Sequence, residues 1–329
     1  MTRERAALAA KVAISGFLLA YLFHRVGLSD IYAHVRHMRL SLALAALILY
    51  ILAVVVSSTK WWVLLRAQGV QVPYSALLAY TLIGAFFNTV LPANVGGDVA
   101  RGYGLARHTR TSDAAVSVIV DRLVGLFAFI TAAALAGTAL LLTNALGPAS
   151  LTPAGVHNVR GITLLAWLAV GGMFVGLGLL LSRRSKRWVE EKVLTRGWLR
   201  GLADSFRRVS NALNAYRHAY AALVGAVFIS WTVLLLTSLE NWLLAEALRP
   251  GVVPFLYVLL FNPLIAFALL IPLSLGGLGL GQSAYVFFYG LVGIPEALAF
   301  TLSLLHQGVV YIAGIPGALL WTLGGRREG

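Results

Sequence analysis

Long apolar runs separated by short polar stretches fill this chain from end to end. Six are of spanning length, at about Ala6–Phe23, Ser41–Trp62, Asp113–Thr143, Arg160–Leu181, Tyr220–Leu248 and Pro295–Leu323. A stretch of about 20 apolar residues matches the hydrocarbon thickness of a bilayer when helical. The runs are rich in Leu and Ala and lack the alternation of barrel strands, so helices are predicted. In hydrocarbon a helix also pairs its own backbone amides.

Two further runs behave differently. Tyr74–Leu91 leads straight into Pro92-Ala-Asn-Val-Gly-Gly-Asp98, and Val253–Ile271 leads into Pro272-Leu-Ser-Leu-Gly-Gly277. Both continue with helix-compatible residues rather than a long polar loop.

Loop charge decides between two topologies. The stretch of about residues 182–219 carries Arg and Lys throughout, from Arg183 to Arg217, whereas Asn144–Asn158 carries neither. Short loops rich in Lys and Arg stay cytoplasmic. Eight simple spans, the alternative, would place the basic stretch outside. Six full spans plus two re-entrant Pro-Gly-Gly hairpins place it inside, together with Arg107, Arg110 and both basic termini. The expectation is therefore an all-α polytopic protein of the inner or plasma membrane, with both termini cytoplasmic. Residues 1–329 are read as one transmembrane domain. The first segment is basic, then apolar, and has no small-residue cleavage site, so it is read as a retained helix. The basic stretch at about 182–219 places Val189, Val193, Leu202, Phe206, Val209, Leu213 and Tyr216 near helical spacing, as in an amphipathic interfacial segment.

Composition agrees with this picture. Hydrophobic residues make up 59% of the chain and charged residues 12%, against about 45–50% and 25% in soluble domains. The net charge of +14 lies in loops beside spans, where anionic headgroups rather than nucleic acid are the natural partner. The absence of cysteine excludes a zinc-thiolate site and a thiol nucleophile. No cofactor or metal is expected.

The two breaks form a repeat, Pro92-x-x-x-Gly96-Gly97 and Pro272-x-x-x-Gly276-Gly277, each after a Phe-rich segment. Phe86-Phe87-Asn88 precedes the first, and Phe261-Asn262 with Phe267 precede the second. In the six-span topology the copies enter from opposite sides, which makes the repeat inverted. Broken helices of this kind meet near the midplane in transporters, and exposed backbone at that depth survives only against protein or a water-filled cavity. The bland reading is close packing through small residues. Two copies in similar context favour a site.

Ionisable residues in spans cost about 2.5–3.5 kcal/mol each at a helix centre and normally face a cavity or a partner. Asp98 and Arg101 follow the first Gly pair, Asp121 and Arg122 lie inside a span, and Glu240 with Asn241 and His306 with Gln307 lie inside two others. Local pairing of Asp98 with Arg101, and of Arg122 with Asp98 or Glu240, is the structural alternative. Glu246 could share the role of Glu240. Lys60, Trp61, Trp62 and Arg66 read as an interfacial anchor without a site role.

Together, Phe86-Phe87-Asn88-x-x-x-Pro92-x-x-x-Gly96-Gly97-Asp98-x-x-Arg101, Asp121-Arg122-x-x-Gly125 and Pro272-x-x-x-Gly276-Gly277-x-Gly279 resemble the transmembrane region of lysylphosphatidylglycerol synthases and their stand-alone, flippase-like relatives. The resemblance covers nearly the whole chain. It implies a domain that moves or presents a polar-headed phospho- or glycolipid between leaflets, with Asp98, Arg101, Asp121 and Arg122 in its polar centre. The family often has an acidic residue where Gly281-Gln282 stands here, and an Arg where His306-Gln307 stands. The synthase's aminoacyl-transfer activity is not implied, and no enzyme activity is expected. Binding is expected from Asn88, Pro92, Gly96, Gly97, Asp98, Arg101, Asp121, Arg122 and Glu240 on one side of the repeat. Pro272, Gly276, Gly277, Gln282 and His306 are expected to bind on the other. Alternatives are an integral-membrane enzyme acting on lipid-linked sugars, or a scaffold for envelope-lipid enzymes. A homo-oligomer or an envelope-biosynthesis enzyme is a further possible partner.

Overall fold

The computed structural model describes residues 3–91, 96–146, 151–181 and 203–325. Among these residues the chain is helical throughout: α1 (Arg3–Val26), α2 (Leu28–Val35), α3 (Leu40–Ala67), α4 (Tyr74–Val90), α5 (Gly96–Leu105), α6 (Thr111–Leu146), α7 (Pro153–Leu181), α8 (Ala203–Ala215), α9 (Tyr220–Leu248), α10 (Phe255–Ala268), α11 (Leu280–Gly290) and α12 (Glu296–Gly325). Six of them, α1, α3, α6, α7, α9 and α12, are long and apolar enough to cross a membrane. They are the six spans expected from the sequence. The short α2 was not foreseen.

The remaining apolar helices form two antiparallel hairpins. In the first, Asn88 of α4 accepts the Gly97 amide of α5 at 2.9 Å. Further along, a side chain at Gly84 would collide with Arg101, and Tyr80 meets His108 at 3.0 Å. In the second, Leu269 packs against Gly277 and Gly281, while Phe261 of α10 stacks with Phe288 of α11 at 5.9 Å. Each hairpin opens with a proline just outside its first helix, Pro73 and Pro254, where no amide is required.

Contacts between helix ends fix the direction of each hairpin. The end of α3 lies beside the start of α6, with Trp61 Nε1 donating to Ser117 at 3.1 Å. The first hairpin enters from this face, since Tyr74 bonds the Val55 carbonyl at 3.0 Å. At the opposite face, the Arg39 amide before α3 meets the Ala247 carbonyl at 3.0 Å. There Asn158 of α7 donates to the Leu291 carbonyl after α11 at 3.1 Å, so the second hairpin enters from that face. The two tips meet inside the bundle: Gly276 lies so close to the Thr89 carbonyl that no Cβ would fit between them. The inverted repeat is thus a spatial fact.

The largest apolar core joins α3, α6, α9, α10, α11 and α12 around Leu260, Phe261, Leu244 and Tyr289. The outward faces of α1, α3 and α7 remain apolar and exposed, as at Phe17, Ile48 and Leu165, which suits helices that face lipid. The first part of the basic segment lies outside the described residues. Its second part forms α8. Ala212 and Tyr216 are fully buried against Leu64, Val120 and Ala226, so this part docks on the bundle rather than resting on lipid alone.

Candidate functional site

The site grows from the tip of the first hairpin. Gly96 and Gly97 begin α5, which places Asp98 in its first turn, where the free amides and the helix dipole favour an anion. Arg101 stands one turn on and lies 3.6 Å from Asp98. The two helices approach closely because a side chain at Gly97 would strike the Gly84 carbonyl and Asn88. That approach carries Arg101 into the bundle, where its guanidinium lies 4.3 Å above the Trp61 ring.

There the Arg101 guanidinium meets Asp121 of α6 at 3.4 Å. On its other side Asp121 holds Lys60 of α3, with Nζ 3.1 Å from the carboxylate and 3.2 Å from the Asp121 carbonyl. The next residue, Arg122, turns the other way and donates through Nε to Asp98 at 2.6 Å. The result is a ladder across three elements: Lys60, Asp121, Arg101, Asp98, Arg122. Among the described residues three cations face two carboxylates, so these five side chains carry one net positive charge. Lys60, Arg101 and Asp121 are buried. The Arg122 side chain is 38% exposed, and it faces space inside the bundle.

That space has two lobes. A cavity of about 330 Å³ lies against Lys60, Arg101, Asp121, Arg122, Asn88 and Ser57. A second, of about 280 Å³, lies against Gly276, Gly277, Gln282, His306, Gln307 and Tyr285. Ala85, Asn88, Arg122 and Leu269 border both. Arg122 therefore stands where the lobes adjoin, between the hairpin tips. Polar sites of this size have room for several waters.

The second lobe has its own ionisable pair. Glu240 of α9 is 0% exposed. His306 Nδ1 of α12 lies 3.2 Å from each of its carboxylate oxygens, and Asn241 Nδ2 donates to Oε2 at 2.9 Å. Tyr285 in turn donates to Asn241 Oδ1.

Of the residues singled out from the sequence, Asn88, Arg101, Asp121, Arg122, Gly276, Gly277, Gln282 and His306 border the cavities. Asp98 and Glu240 reach them through Arg122 and His306. Gln282 serves chiefly to hold the break: its Oε1 accepts the Gly279 amide at 2.7 Å. Three more of the expected residues border neither lobe, among them Gly97, which packs against Gly84 and Asn88. Pro272 is exposed in a turn and borders neither lobe. Gly96 packs against Leu91 and also borders neither. Pro92 lies outside the described residues. Glu246 takes no part in the site, since its carboxylate accepts the Gly251 amide at 3.0 Å and caps a turn. Lys60 and Trp61 were missed. In the sequence they read, with Trp62 and Arg66, as an interfacial anchor; Arg66 stacks on Trp62 at 4.1 Å.

Six spans around two re-entrant hairpins, entered from opposite faces and meeting at a charged cavity, define a polytopic α-helical membrane protein with an inverted-repeat core. Residues 8–317 match the profile of the lysylphosphatidylglycerol synthase transmembrane region, and the chain belongs to that family. A UPF0104 membrane protein of Methanothermobacter thermautotrophicus is 25% identical over 277 residues, spanning 78% of this chain and 77% of that protein. No solved structure matches the chain.

Proposed function

We propose that this protein is a lipid transporter of flippase type, which moves a lipid with an anionic polar head between the leaflets of the inner or plasma membrane. The observation that carries the reading is the cationic excess of the buried ladder, directed into the cavity through Arg122. A phosphate group forms strong, directional hydrogen bonds with a guanidinium, and in a medium of low dielectric the surplus charge attracts an anion over several ångströms. Asp98 holds the guanidinium in place through Nε, so the head meets a group that is already oriented. The acyl chains stay in the bilayer beside the bundle while the head crosses through the two lobes in turn. Rocking of one hairpin against the other, as in other inverted-repeat carriers, would open the lobes alternately. The protein binds and releases its lipid without chemistry on it. The basic face, with both termini, is cytoplasmic.

The reading is tested with purified protein in vesicles containing fluorescent phosphatidylglycerol, by following loss of signal to an impermeant quencher. Wild type and Arg66→Ala are expected to expose label from both leaflets, and Arg122→Ala to expose only the outer half. Flipping by Arg122→Ala at the wild-type rate, or no flipping by wild type, overturns it.

A further inference from the structure

The function proposed above uses the charged ladder and leaves Glu240 and His306 unexplained. An ionised carboxylate buried in a membrane bundle needs a cation or a proton. Among the described residues, the ion-pair partner of Glu240 is His306, and imidazole is charged only when it holds a proton. Uncharged groups face the pair, Asn241 on α9, Tyr285 on α11, whose ring is 5.9 Å from His306, Tyr289 on α11 and Tyr50 on α3, whose ring is 6.0 Å away, while the charged Arg122 of α6 borders the same lobe as His306. With one proton, on either member, the pair is neutral. Without it, a single negative charge is left inside the bundle. His306 borders the second lobe and is 22% exposed there, which gives that proton a path to water. Hard metal cations do not suit the place. They take about six or more oxygen ligands, and the pair offers one carboxylate, while Asn241 Oδ1 already accepts from Tyr285.

We propose that Glu240 and His306 are a proton-binding site that couples proton uptake to binding of the anionic lipid head. The inference rests on the transporter reading. Arg122 borders the same lobe as His306, so a head held by Arg122 shares one low-dielectric space with the pair. A deprotonated pair repels that head, and a protonated pair does not. Linkage makes the effect mutual: the head favours the proton as much as the proton favours the head. The proton comes from water, forms a bond to the imidazole nitrogen or the carboxylate oxygen, and returns to water when the head leaves. The protein would therefore carry lipid and proton in the same direction.

The experiment uses purified full-length protein in weakly buffered detergent, with short-chain phosphatidylglycerol as probe. Head binding is read by calorimetry and proton uptake by a pH dye in parallel. Wild type is expected to take up protons on binding, and its affinity is expected to fall as pH rises. Glu240→Gln is expected to bind with no uptake and no pH dependence, and His306→Gln to lose most of both. Glu246→Gln, which alters a turn cap outside the site, keeps both. Binding by wild type without proton uptake overturns this inference and leaves the transporter reading standing. Uptake at the wild-type level in folded Glu240→Gln or His306→Gln overturns it too. If wild type binds no lipid head, both fall.

Discussion

At Asp121 one carboxylate is shared by two cations from two helices, Lys60 of α3 and Arg101 of α5. Removing that carboxylate takes from Lys60 its carboxylate partner and leaves Arg101 with Asp98 alone, in a place where water cannot easily replace it. Such a loss costs about 3–5 kcal/mol when one side of a buried ion pair is deleted. Asp121→Asn is accordingly expected to lower the thermal midpoint sharply in detergent, and Asp121→Asn with Lys60→Met to recover part of the loss. Equal midpoints for the single and double variants would rule out coupling between the two side chains. Most of the ladder was legible in the sequence because a charge inside an apolar run stands out. Lys60 was not, because it sits between the end of an expected span and the pair Trp61-Trp62, which is the composition of an interfacial anchor. What the sequence hid is the extra length of α3, which runs to Ala67 and keeps Lys60 about two turns from the end of the helix.

The two hairpins spell the same Pro-x-x-x-Gly-Gly string and use it differently. In the first, Gly97 lies within a helix and its lack of a side chain lets α4 and α5 touch. In the second, Gly276 and Gly277 have φ of 55° and 78°, a left-handed backbone that glycine adopts without strain. Local sequence could announce both breaks but not this difference, because the first role depends on a helix across the gap and the second on the path of the turn itself. Gly97→Leu is expected to separate α4 from α5, with a loss of about 1–3 kcal/mol from overpacking or more, read as a fall in melting temperature and folded yield. The same substitution at Gly317, where α12 crosses the backbone of α4 at Leu82, is expected to act alike. By contrast Gly171→Leu, where nothing lies near, should leave the melting temperature almost unchanged. A Gly97→Leu protein as stable as wild type would remove close approach as the reason for that glycine.

For the molecule as a whole, sidedness follows from which helix ends meet. The basic ends of the spans gather at the face through which the first hairpin enters, and the second hairpin enters from the other. This was legible because loop charge and span length are strong signals in membrane proteins. The meeting of the tips was not, since nothing in a sequence reports a contact between Thr89 and Gly276. The lack of cysteine makes a direct test easy. Ser29→Cys, at the start of α2, is expected to react with an impermeant maleimide on intact cells. Ser112→Cys, at the start of α6, should react only after lysis. The reverse pattern would invert the topology, and labelling of both on intact cells would contradict six crossings.

One contact also bears on how the protein is made. Ser15 of α1 accepts the Leu275 amide at 2.9 Å, and Gly279 rests against Ser15 and Leu18. The helix α1 thus docks onto a segment synthesised 260 residues later. Until that late segment arrives, α1 must wait in the membrane as a tethered but undocked helix, so chains stopped before residue 275 should insert yet remain open to quality-control proteases.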